Sequence, residues 1–160
     1  VVAGLRHRGE EAERIVKEDV DIPLSIRCRR VNKIYQESGG NAILISIHCN
    51  AAGNGSNWMQ ARGWEAWTSV GQTKADKLAD FLYEAAEECL LGMKIRKDMA
   101  DGDPDKESRF YILRHTKCPA VLTENLFQDN REDVDFLLSE EGKRTIVSLH
   151  VKGICKYLGI

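Results

Sequence analysis

Two short apolar runs constrain this 160-residue chain more than anything else in it. Residues 42–47, A-I-L-I-S-I, are rich in β-branched isoleucine, with Gly39, Gly40 and Asn41 before them and a loop of small residues after them. A run of that length between turn residues reads as a strand buried on both faces. Residues 120–123, A-V-L-T, make a second such strand, opened by Pro119. Strands of this kind belong to parallel sheets covered by helices, and in open α/β sheets the ligand crevice lies beyond the strands' carboxyl ends. His48 ends the first run and Glu124 the second. Alone, His48 reads as a strand cap bonded to a loop. With a carboxylate delivered to the same crevice, the pair suits a metal ligand and a general base.

The rest of the chain supplies the covering helices. Residues 23–38 begin at Pro23 and carry Leu24, Ile26, Val31, Ile34 and Tyr35 as apolar members until Gly39 and Gly40 end them. Residues 73–91 repeat Ala75, Leu78, Ala79, Leu82, Ala85, Ala86 and Cys89 at helical spacing, with Gly92 beyond. Residues 129–138 and 140–158 close the chain as two helices, the second with His150 on its inner side. Residues 1–8 read as the end of a helix, stopped at Gly9. Strands are expected to follow from residues 11–16, to run near a sheet edge at 63–68, and to form briefly at 110–113 before a turn. Arg27, Arg29 and Arg30 read as the solvated face of an amphipathic helix. The loop 49–61 leaves a strand's carboxyl end and is expected to border the crevice. The whole predicts one α/β domain over residues 1–160, a mostly parallel twisted sheet with helices on both faces.

Composition removes several function classes. A net charge of -2 and the lack of a basic tract give no electrostatic basis for nucleic acid binding. No apolar run approaches the roughly eighteen residues of a membrane span. The five cysteines are odd in number and form no C-x-x-C pair, so neither a disulfide framework nor a zinc knuckle is indicated. Cys49 follows His48, but adjacent strand residues point to opposite faces, which argues against a thiol nucleophile served by that imidazole. A serine hydrolase lacks its G-x-S-x-G elbow. Residues 101–107 hold several acids without the spacing of a calcium loop.

Three motifs carry a family resemblance. The strand I-S-I-H-C-N-A-A, the segment C-P-A-V-L-T-E-N and the helix P-L-S-I-R-C-R-R-V-N resemble, in that order, a second zinc-histidine motif, a terminal catalytic-glutamate motif and the helix preceding that histidine. The family is that of the zinc-dependent N-acetylmuramoyl-L-alanine amidases often called amidase type 3. The resemblance implies that His48 binds Zn2+, that Glu124 is general base and acid, and that Asn50 touches substrate. It implies hydrolysis of the amide between N-acetylmuramic acid and L-alanine in peptidoglycan, in the cell envelope or outside the cell, or by a phage lysin made in the cytoplasm. The family's opening strand, with its histidine, and the following helix, with its glutamate, have no counterpart. Residues 1–9 resemble the end of that helix, so the expected sheet lacks its first strand and the expected zinc site is incomplete. Of the other histidines, His7 sits on a helix end and His150 in a core. His115, near the Glu124 strand, is expected to enter the crevice and touch substrate. A degenerate domain that binds muramyl peptides without cleaving them is the competing expectation.

Overall fold

In the computed structural model, which describes residues 1–160, the two apolar runs become neighbouring parallel strands. β1 is Leu44–Asn50, β2 Glu65–Thr68, β3 Lys106–Glu107 and β4 Ala120–Phe127, in the sheet order β1-β4-β2-β3. β1 pairs with β4 in parallel, β2 with β3 in parallel, and β2 with β4 antiparallel. The mostly parallel sheet is therefore observed, with one reversal in its middle.

Helices cover both faces because both faces are apolar. On one side lie α1 (Val2–Arg6), α3 (Lys74–Cys89) and α6 (Glu140–Leu158), with α5 (Arg131–Leu138) packed at their end. Trp64, Ala66 and Val121 of the sheet meet Leu78, Leu82 and Leu149 there, every one of them fully buried. Each such leucine contributes roughly 1.5–3 kcal/mol by leaving water. On the other side α2 (Leu24–Glu37) and α4 (Tyr111–His115) place Cys28, Ile112 and Leu113 against Ala120 and Leu122. Thr73 caps α3 in a reciprocal box with Asp76, and Asn130 and Ser139 cap α5 and α6.

Three local expectations are corrected. β1 is not buried on both faces along its length: it is an edge strand, sandwiched only at its start, and Ile47 is 45% exposed. An isoleucine run reports packing on at least one face and cannot tell an edge from a centre. Residues 11–16 form no strand. Residues 111–115 form the helix α4, not a strand and turn, because so short an apolar run fits a buried helical turn equally well. β2 runs near the sheet edge as expected, between β4 and the two-residue edge strand β3.

β4 also continues three residues past Glu124. His48 pairs with Glu124 but Asn50 pairs with Phe127, so β4 carries an extra residue there. Leu126 takes up the difference in a left-handed conformation, φ 65°. That bulge bends the strand immediately beyond Glu124.

Candidate active site

Register places three side chains in one row. His48 on β1 and Glu65 on β2 both pair with Glu124 on β4. Two residues before Glu124, Leu122 packs with Ile112 and Cys28, and Trp67, two residues after Glu65, joins the same cluster. Strand alternation therefore puts His48, Glu124 and Glu65 on the α2 and α4 face, beyond the point where those helices cover it.

The two glutamates differ in their partners. Glu65 is 2% exposed and fully engaged: Arg96 Nε donates to Oε2 at 2.6 Å, Lys106 Nζ stands 3.3 Å from it, and Asn50 Nδ2 and Trp67 Nε1 donate to Oε1 at 2.9 and 3.2 Å. Glu124 has no such donors, and its Oε2 is buried without a hydrogen-bond partner. Burial first, and the Glu65 charge second, push its carboxyl up to about 7. A half-buried carboxyl with a free oxygen and a pKa near neutrality is suited to take and return a proton.

His48 stands at the open end of β1. Its Nε2 lies 2.9 Å from Ser46 Oγ, and its carbonyl accepts from Asn125 Nδ2 at 2.9 Å. Asn125 in turn accepts from the buried indole of Trp64 at 2.9 Å, which ties β1, β4 and β2 together under the row. Loss of hydration, then the Arg27 charge, lower the imidazole's pKa and favour the neutral ring that a metal ligand requires. Ser46 and His48 line a cleft of about 190 Å3 with Leu24, Arg27, Phe110, Tyr111, Ile112 and Leu122. A larger hollow of about 700 Å3 lies between α1 and α6 and contains no member of the row.

The other candidates are placed less favourably for chemistry. Asn50 gives its amide to Glu65 and accepts from Ala51 N at 2.8 Å, so both ends serve the protein. His115 does not line the cleft. Its ring stacks on Tyr111 at 3.8 Å with Nδ1 2.9 Å from the Tyr111 carbonyl, so Tyr111, one turn earlier on α4, occupies the wall instead. Cys49, between His48 and Asn50, lies within the field of Glu124. Burial and that charge raise its thiol pKa, which disfavours a thiolate nucleophile. His150 is fully buried between Thr123 Oγ1 and the Ile146 carbonyl. The loop after β1 is anchored: Asp129 Oδ2 accepts from Ala52 N and Gly53 N at 2.8 and 2.7 Å, and Asn130 Nδ2 donates to the Met59 carbonyl at 3.1 Å.

The donor set does not by itself make a metal centre. Nowhere do three His, Cys, Asp or Glu side chains gather as a cation would need, and catalytic zinc takes three protein ligands and a water. His48 is one imidazole. Glu65, the third member of the row, was not anticipated. Its signal is a lone acid between Trp64 and Trp67 in a short strand.

Comparison with known proteins follows the same lines. Residues 3–156 match the family profile of the N-acetylmuramoyl-L-alanine amidases. The chain is 29% identical to the endolysin of Bacillus phage SPP1 over 159 residues, covering 98% of this chain and 53% of that protein. Among solved structures, an N-acetylmuramoyl-L-alanine amidase from Clostridium difficile 630 superposes with TM-score 0.73 at 27% identity, covering 90% of this chain and 69% of that one. The amidase AmiC2 of Nostoc punctiforme shares the fold, with TM-score 0.78 at 24% identity over 99% of this chain and 78% of that one. The chain spans about half the length of the curated relatives it matches.

Proposed function

Since this chain belongs to the N-acetylmuramoyl-L-alanine amidase family, we propose that it serves hydrolysis of the amide joining N-acetylmuramic acid to the L-alanine of a peptidoglycan stem. The observation that carries this reading is Glu124: a half-buried carboxyl, free of protein donors, paired in register with His48 at the open end of a two-strand parallel core.

Amide hydrolysis needs a proton removed from water and a proton delivered to the departing nitrogen. Glu124 does both in turn, accepting from the attacking water and then donating to the amine as the C–N bond breaks. Glu65 faces Glu124 across the paired strands, and its charge adds to burial in raising the Glu124 carboxyl toward neutrality. Phe110, Tyr111 and Leu122 wall the cleft and limit water around the reacting amide.

Zinc belongs to this reading through the family, with His48 as one donor. No further pair of donors gathers with it, so this chain is expected to hold zinc weakly and to turn over slowly. The same observation favours a second reading, a module that binds muramyl peptides without cleaving them. Cell-wall action, in the envelope or by a lysin released from a host cell, is the setting that fits the reaction.

Metal analysis after dialysis against a weak chelator, run beside an assay for release of free N-acetylmuramic acid from a muramyl peptide, tests both readings. Substoichiometric zinc with little release is the expected result for these 160 residues. Stoichiometric zinc together with cleavage would show that the donor set has been misjudged and would remove the binding-module reading.

A further inference from the structure

The cluster Arg27, Arg29 and Arg30 is not one solvated face. Arg30 turns to the loop before α2, where its guanidinium pairs with Glu18 and donates to the Ile15 carbonyl at 2.8 Å. Arg27 turns the other way and lines the His48 cleft.

Its side chain is 26% exposed, and its plane is set by Nε donating to the Ile22 carbonyl at 2.7 Å. The outer edge of the fork meets a single group, Asp21, with Nη2 donating to Oδ1 at 2.6 Å. Asp21 is 91% exposed, so this ion pair stands in water and contributes little. A carboxylate already sits in the fork, therefore, and little holds it there. The remaining guanidinium N–H groups have no protein acceptor.

The surroundings favour an anion. Leu24, Phe110, Tyr111, Ile112 and Leu122 give the cleft apolar and aromatic walls, which strengthen a charge-assisted hydrogen bond. No side chain caps α2, so the positive end of that helix adds to the Arg27 charge. Glu65 is turned away by its own cations, and Asp21 is the acid bonded to Arg27.

We propose that Arg27 is a specificity-determining residue: its guanidinium exchanges Asp21 for a carboxylate on the peptide side of the substrate, while the scissile amide lies at His48 and Glu124. The assignment rests on the amidase reading. It predicts a preference for acidic stem peptides over the same peptides with their carboxyl groups amidated.

The test is calorimetric binding of N-acetylmuramoyl-L-alanyl-D-glutamate and of its diamide to the 160-residue chain, which needs no turnover. The acid is expected to bind about tenfold more tightly than the diamide, in line with a charge-assisted bond in a partly dry site. Arg27→Gln should bring the acid to the affinity of the diamide, and Arg27→Lys should keep part of the preference. Asp21→Asn, a change at an exposed position, should tighten binding of the acid by removing its competitor and leave the diamide unchanged. Equal affinities in the unaltered chain, or a preference that survives Arg27→Gln, would overturn the role of Arg27 alone. Failure of both probes to bind would overturn the amidase reading as well.

Discussion

At the residue scale the site is a contrast between two carboxyls that face one another across paired strands. Glu65 is saturated with donors and Glu124 has none. Glu65→Gln leaves the charges of Arg96 and Lys106 uncompensated one strand away from Glu124, which should lower the Glu124 pKa and turnover, and adding Arg96→Met should restore part of it, because one of those charges has gone. A double-mutant cycle on turnover, run in a form of the protein that cleaves, checks this. Additive losses would refute the arrangement. His150 offers a separate test in stability. Its Nδ1 faces the Ile146 carbonyl and its Nε2 the Thr123 hydroxyl, an arrangement for a neutral ring, and burial drives its pKa down to about 4 from the ordinary value near 6.5. Between those values the unfolded chain binds the proton and the folded chain does not, so His150 makes stability rise with pH across that window. The full contribution is about 3 kcal/mol, present above pH 6.5 and lost by pH 4. Urea unfolding from pH 4 to 7 should show this slope, and His150→Gln should lack it. His48 and Glu124 were legible because each ends an apolar run with a chemical residue. Glu65 was not, because alternation alone cannot distinguish a solvent-facing acid from one buried under Arg96 and Lys106.

Elements were legible in proportion to their length and punctuation. The helices α2, α3, α5 and α6 announce themselves by periodic apolar residues, caps and terminal glycines, and their bounds differ from expectation by a residue or two. Short segments did not. α4 holds five residues and its apolar pair Ile112 and Leu113 fits a strand as well as a helical turn, while the bulge beyond Glu124 rests on Leu126, with no glycine to mark its left-handed backbone. The crossing of α3 and α6 shows what packing adds to propensity. A Cβ on Gly153 would come within 3.0 Å of Leu82 Cα and of the Phe81 carbonyl, both backbone atoms that cannot step aside. Gly153→Ala improves helix propensity by about 1 kcal/mol, yet it is expected to destabilise the protein by roughly 1–3 kcal/mol through forced separation of the helices. Thermal or urea unfolding decides the sign, and a stabilised variant would mean that the two helices sit less tightly than described.

For the whole molecule, the sequence carried the class of fold and the meeting of two strands, but not the sheet order or the edge position of β1. Those depend on pairings between segments far apart in the chain, and β2 runs against β4 for reasons no local pattern records. The consequence for function is that the row at His48, Glu124 and Glu65 is open on the β1 side and closed on the β2 side. Within it, Glu124 has the carboxyl that no protein donor engages. The measurement that bears most directly on this account is hydrolysis of the muramoyl-alanine amide by Glu124→Gln, in a form of the protein that turns over, with zinc content and muramyl-peptide affinity determined on the same sample. The substitution keeps the size of the side chain and removes its basicity, so the rate should fall by roughly a hundredfold to ten-thousandfold while zinc and affinity stay as they were. Near-normal turnover, or loss of zinc in parallel with activity, would contradict the role of Glu124 as the proton carrier.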